Sequence, residues 1–128
     1  MILLLDTSTK ECKIYIYENN NYIEHIWQAD RDLAKELFEY LKSYLKENNY
    51  SLDDISGMGV FLGPGSFTGL RIGMTVVNTI ADINKIQIVG ANGENWKESA
   101  IKRLENGEND KIIIPNYGSD ANISLPKK

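Results

Sequence analysis

Gly63-Pro64-Gly65-Ser66-Phe67-Thr68-Gly69-Leu70-Arg71-Ile72-Gly73 decides how this chain is read, because four glycines, a proline and one arginine fall between a strand-like and a helix-like segment. Upstream, Gly59-Val60-Phe61-Leu62 is a short apolar run of the kind a buried strand shows, and downstream Ser66 to about Asp82 has helical apolar spacing. The motif is therefore expected to be a strand-to-helix turn. Gly63 and Gly65 supply backbone freedom beside the stiff Pro64, and Ser66 stands where a helix N-cap is wanted, with Thr68 in the first turn. Such a turn leaves several donors pointing outward, favourable to an anion or an incoming carbonyl.

Gly69 and Gly73 lie inside the helix, where glycine costs roughly 1 kcal/mol relative to alanine. Four residues apart, they share one face. That face is nearly bare backbone and lets another element approach closely, either the chain's own sheet or a partner. Arg71, Thr75, Asn78 and Asp82 exclude a membrane-spanning reading of the same spacing.

Working outward, Met1 to Asp6 is apolar almost throughout, Lys13 to Tyr17 alternates, and Tyr22 to Gln28 follows the turn Glu18-Asn19-Asn20-Asn21, which predicts a three-stranded antiparallel meander. From about Asp30 to Asn48, Leu33, Leu37, Leu41 and Tyr44 with Ala34, Phe38 and Leu45 fill one face of an amphipathic helix, which Asp30 or Asp32 can cap. Strand Met58–Leu62, the signature helix and strand Ile86–Val89 form a right-handed crossover that extends the sheet in parallel. A short helix over Asn95–Leu104, a strand or anchor at Lys111–Ile114 and an irregular tail from Pro115 complete the chain. The expected class is α/β, with a mixed five-stranded sheet and helices packed on it, divided as 1–91, 92–114 and 115–128.

The composition is that of an ordinary globular protein, 42% hydrophobic and 25% charged. Met1 to Leu5 is too short for a signal-peptide core and lacks a basic leader, and no apolar run approaches a membrane span, so a cytoplasmic location is expected. The one cysteine, Cys12, reads as a small residue in a strand. A formal net charge of −4 without a basic cluster makes the chain a poor grip for tRNA on its own.

The eleven residues from Gly63 to Gly73 resemble the signature of the TsaB family, the non-catalytic partner of TsaD in threonylcarbamoyladenosine modification of tRNA. Ile2-Leu3-Leu4-Leu5-Asp6-Thr7-Ser8 resembles that family's first strand and Asp-Thr-Ser turn. Leu52 to Val60 resembles the lead-in to the signature, and Ile86 to Gly90 the strand that follows it. The resemblance covers residues 1 to about 91 and is patchy beyond. It implies one lobe of the actin and heat-shock-ATPase superfamily, with the second lobe of the family deleted. Pro115-Asn116-Tyr117 resembles the family's C-terminal Pro-x-Tyr, but Gly118-Ser119 stands where an arginine often follows.

Catalytic readings fail against the inventory. His25 is the one histidine and sits in an expected strand, whereas TsaD-like enzymes carry a His-x-x-x-His metal pair on the first helix; no metal or catalytic residue is assigned. Serine hydrolysis fails too, because Ser66 is not set in Gly-x-Ser-x-Gly. Asp6, Thr7 and Ser8 resemble the first phosphate loop of actin-like ATPases, yet with no opposing lobe they read as turn chemistry, and no cofactor is expected in the isolated chain.

A partner-binding role remains. The resemblance implies that the first two helices pair with those of a TsaD-like subunit, or with a second copy when that subunit is absent. A TsaE-like ATPase is a further possible partner, and tRNA is reached only indirectly. Phe67, Gly69, Leu70, Arg71, Gly73, Met74 and Val77 on the signature helix, with Tyr40 and Tyr44 on the first, are the expected contact residues. On that reading Gly69→Leu or Gly73→Leu abolishes the complex and leaves a folded monomer. The alternatives are a degenerate actin-like nucleotide-binding protein and a self-associating homodimeric module without a tRNA role.

Overall fold

The computed structural model describes residues 1–29 and 33–114. Five strands, β1 (Ile2–Asp6), β2 (Glu11–Glu18), β3 (Asn21–Gln28), β4 (Gly57–Phe61) and β5 (Gln87–Ala91), form one sheet in the order β3-β2-β1-β4-β5. Three helices, α1 (Leu33–Glu47), α2 (Phe67–Asn84) and α3 (Trp96–Glu105), cover it. β1, β2 and β3 pair antiparallel as the meander, while β4 adds to β1 and β5 to β4 in parallel. The expected mixed sheet is therefore the observed one, an actin-like lobe.

The meander is set by a two-residue turn. Asn19 and Asn20 both adopt positive φ, 54° and 64°, the conformation a tight hairpin requires and one that asparagine tolerates. β1 runs through the middle of the sheet with both faces covered, which explains its unbroken leucines: Leu3 and Leu5 enter the core under α1 and α2, and Leu4 enters a separate core under α3.

The buried stripe of α1 is Leu33, Leu37, Leu41, Tyr44 and Leu45. Ala34 is exposed and Phe38 only half-buried, so the apolar face is narrower than its sequence spacing implies. The proposed caps Asp30 and Asp32 lie outside the described residues, as does the segment from Pro115 onward with its Pro-x-Tyr step. On the opposite face, α3 comes close to β4 because Gly59 has no side chain; a Cβ there would stand 2.8 Å from that of Ala100. Trp96 closes this second core edge-on to Tyr15, ring centroids 6.1 Å apart.

Lys111–Ile114 is an anchor and not a strand. Asn78 on α2 donates to the Ile113 carbonyl at 3.0 Å and accepts from its amide at 2.8 Å, and Ile113 is buried while Ile112 and Ile114 stay exposed. Just before it, Asn109 and Asp110 seal the outer edge of β5 with side chains. Asn109 Oδ1 accepts from the Ile88 amide (3.1 Å), and Asp110 Oδ2 accepts from the Gly90 amide (2.9 Å). The Asp110 amide donates to the Ile88 carbonyl (2.7 Å), and Arg103 Nη1 donates to that of Gly90 (2.8 Å). Arg103 also forks onto the Asp110 carboxylate, at 2.5 and 3.1 Å.

Burial pushes the Asp110 carboxyl up, but its bonds to Arg103 and the Gly90 amide outweigh that and hold it below the ordinary carboxylate range. A lowered folded-state pKa means the stabilisation is present above the unfolded-state value and is lost as pH falls through the folded one. Arg103→Leu is expected to destabilise the fold by about 1–3 kcal/mol, read as a lowered urea midpoint at neutral pH. Asp110→Asn should remove part of the stability loss that the unsubstituted chain shows below about pH 4, checked by denaturation at stepped pH.

Candidate functional site

The signature turn and the first strand's turn are built into each other. After Asp6 the chain makes a tight turn in which the Ser8 amide donates to Asp6 Oδ1 at 2.9 Å, the side-chain-to-backbone bond typical of aspartate in turns. The Ser8 carbonyl then accepts from the Ser66 amide at 2.7 Å. Ser66 caps α2, its hydroxyl accepting from the Gly69 amide at 3.1 Å, as its position in the sequence predicts. Gly63, at φ +116°, supplies a conformation that side chains resist, and the peptide bond to Pro64 is cis.

Three of the signature glycines meet the same turn. A Cβ on Gly65 would land on Ser8, one on Gly69 on the Thr7 carbonyl oxygen, and one on Gly73 on the Thr7 side chain. Thr7 is fully buried between α2 and the sheet, and its hydroxyl has no hydrogen-bond partner among the described residues. Gly69 and Gly73 thus serve the helix-to-sheet contact. Their assignment to a docking face is corrected: the bare backbone face of α2 points at the chain's own β1–β2 turn.

Leu70, Met74 and Val77 share that inward face and are buried, so they too leave the list of contact residues. The tyrosines of α1 are likewise engaged internally. Tyr40 lies flat on Trp27 (ring centroids 4.0 Å apart, planes at 6°) and hydrogen bonds His25 through its hydroxyl. Tyr44 is buried and stacks on His25 at 4.6 Å. Both rings hold α1 to β3. The thiol of Cys12 sits in the same core, where burial first and the Asp6 carboxylate second push it up to about 12, leaving it protonated at neutral pH.

Phe67, Thr68 and Arg71 stay at the surface. They line a groove of about 370 Å³ between the start of α1 and the first half of α2, completed by Ala34, Ile72, Thr75 and Val76. Phe67 is 54% exposed, unusually open for a phenylalanine, and the Arg71 guanidinium stands 5.8 Å from its ring centroid. Thr75 donates its hydroxyl to the Arg71 carbonyl (2.9 Å) and Thr79 to that of Thr75 (2.8 Å). With the Thr75 hydroxyl spent on its own helix, the groove offers mainly apolar groups, beside the Thr68 side chain and one cation. Ala34, Ile72, Thr75 and Val76 were not among the expected contact residues, although Ile72 and Val76 form a second i, i+4 apolar pair beside the glycine face.

Among the described residues, no group of three or more His, Cys, Asp or Glu side chains is placed to hold a metal, and no helix is long and apolar enough to cross a membrane.

The family model for TsaD, tRNA N6-adenosine threonylcarbamoyltransferase, matches residues 27–96, more than half of the chain. The chain belongs to this family and is TsaB-like. It is 28% identical over 89 residues to the tRNA threonylcarbamoyladenosine biosynthesis protein TsaB of Escherichia coli, covering 70% of this chain and 38% of that protein. The Bacillus subtilis TsaB is 28% identical over 104 residues, 74% of this chain and 45% of the relative. YeaZ from Pseudomonas aeruginosa superposes with a TM-score of 0.66 at 25% identity, over 83% of this chain and 49% of that one. A second structure, of a protein from the same organism described as similar to peptidase YeaZ, gives a TM-score of 0.65 at 27% identity. This TsaB-like chain therefore spans less than half the length of these relatives.

Because Gly73 faces Thr7, Gly73→Ala is expected to cost about 1–3 kcal/mol through overpacking, and Gly69→Leu or Gly73→Leu to abolish a cooperative unfolding transition. Adding Thr7→Ala to Gly73→Ala should recover part of that loss. A double-mutant cycle by urea unfolding reads the coupling, and strict additivity would show that the two residues do not meet.

Proposed function

We propose that this chain is a non-catalytic scaffold in threonylcarbamoyladenosine modification of tRNA, docking a TsaD-like enzyme through the groove between α1 and α2. One observation carries the reading: the groove beside the start of α1 is lined mainly by apolar groups with a half-exposed phenylalanine, and the Thr75 hydroxyl within it is bonded back to the helix. Such a surface has little to offer a polar ligand and much to offer a close-packed helix. Its position on the signature helix of a TsaB-like lobe, whose relatives are named for threonylcarbamoyladenosine biosynthesis, supplies the partner class.

The chain performs no chemistry in this reading. The Asp6-Thr7-Ser8 turn, which would be the phosphate loop of an actin-like ATPase, is engaged by the chain itself: the Ser8 amide, a donor that a phosphate would use, is bonded to Asp6, and α2 covers Thr7. This favours the scaffold over the nucleotide-binding alternative, and no cofactor is invoked. A net charge of −4 supports contact with tRNA only through the partner, in the cytoplasm where that partner works. A TsaE-like ATPase would join the assembled pair.

The docking residues are then Phe67, Arg71, Ile72, Thr75 and Val76. Thr75→Arg, which sets a long cation in the groove at an exposed position, is expected to abolish the one-to-one complex with the TsaD of the same organism and to leave the unfolding transition within about 0.5 kcal/mol of the parent. Light scattering during size-exclusion chromatography of the mixed proteins measures the complex. Undiminished complex formation by a folded Thr75→Arg chain would place the interface elsewhere.

A further inference from the structure

The two edges of the sheet are finished differently. The outward amides and carbonyls of β5 are taken up by Asn109, Asp110 and Arg103, which stand in for a sixth strand. β3, at the other edge, is eight residues long and contains neither lysine nor proline, two of the devices by which edges are kept from pairing. The Asn19-Asn20 turn closes on the pair Glu18 and Asn21, so Asn21, Ile23, His25 and Trp27 bond to β2. Tyr22, Glu24, Ile26 and Gln28 direct their amide and carbonyl groups outward. Among the described residues, no backbone hydrogen bond reaches those outward groups. Tyr22, Ile23 and Ile26, at 41%, 43% and 46% exposure, are large apolar side chains of this one strand.

We propose that the free edge of β3 takes a second copy of this chain, paired antiparallel about a two-fold axis through Ile26. The strand's own chemistry selects that occupant and register. Symmetric antiparallel pairing keeps each face of the sheet continuous, so a residue meets another of the same face. An axis through Glu24 sets two carboxylates opposite each other, and one through His25 sets imidazole on imidazole and Glu24 against Ile26. The axis through Ile26 places Ile26 on Ile26 of the second copy, Glu24 opposite Gln28, and His25 opposite Trp27. Apolar meets apolar, carboxylate meets amide, and imidazole meets indole, with no like charges facing. The residues that pair in the resulting ten-stranded sheet line no part of the α1–α2 groove, so this site stands independently of the docking reading.

Sedimentation velocity on the full chain over a range of concentrations is the first measurement, with a reversible dimer expected. Ile26→Glu puts two carboxylates on the axis and should weaken the dimer by at least about tenfold. Ile26→Cys should oxidise to a cross-linked dimer, because hydrogen-bonded antiparallel partners have Cα atoms roughly 5.5 Å apart, within disulfide reach, and native Cys12 is buried and does not compete. Ile23→Cys, which meets Ala29 in this register, should not cross-link. Thr75→Arg should dimerise like the parent. A parent chain that stays monomeric overturns the proposal, as does a dimer that survives Ile26→Glu, one that Thr75→Arg abolishes, or cross-linking by Ile23→Cys in place of Ile26→Cys.

Discussion

The contact on which the structure depends is that of the α2 backbone with the turn between β1 and β2. Two glycines spaced by one helical turn bring α2 onto Thr7, and the Ser66 amide reaches the Ser8 carbonyl at 2.7 Å. This contact joins the two halves of the chain: the meander supplies the turn, and the crossover supplies the helix that closes over it. It also leaves a buried threonine hydroxyl without a hydrogen-bond partner among the described residues. An unpaired buried hydroxyl costs about 1–3 kcal/mol, which the packing around it has to outweigh. The Asp6 carboxylate and the Ser8 amide and carbonyl of that turn are bonded inside the fold.

With the glycine face committed inward, the outward face of α2 is fixed by geometry. Thr75 lies opposite Gly73 on the helix and is exposed, while Ile72 and Val76 flank the glycine face, half-buried against the core, and line the groove beside the start of α1. Thr75 and Thr79 turn their hydroxyls back to the helix backbone on this exposed side. The aromatic group formed by Trp27, Tyr40, His25 and Tyr44 has a different office: it ties α1 to the outermost strand, where the sheet would otherwise be weakest. At the far edge, the fork of Arg103 on Asp110 does the corresponding work for β5.

Much of the fold was legible in the sequence for local reasons. The leucines of β1, the paired asparagines before β3, the leucines at every fourth position of α1 and the Ser66 cap each declare themselves within a few residues, because backbone dihedrals and side-chain periodicity are local properties. The signature from Gly63 to Gly73 identified the lobe. Its turn chemistry was read correctly from residue types alone, down to the capping bond. Apart from Ala34 and Phe38, which were expected inside and are exposed and half-buried, the failures were of one kind. Gly69, Gly73, Leu70, Met74, Val77, Tyr40 and Tyr44 were given to a partner, and each belongs to the interior or is stacked on the chain's own sheet. Lys111–Ile114 was open between strand and anchor until the clamp from Asn78, 35 residues away, made it an anchor.

The sequence by itself determined that this is one α/β lobe with a mixed sheet, where its turns lie, and which helix carries the family signature. Only the tertiary structure decided which side of that helix faces out. Glycine at i and i+4 demands close approach of some neighbour, but the demand is the same whether the neighbour is the chain's own turn or another protein. What resolved it was the position of Thr7, some sixty residues earlier in the chain and in contact with α2 only after the sheet has formed. The same holds for the two sheet edges, since which strands are outermost, and which of them is sealed, is a property of strand order and not of any strand's own residues.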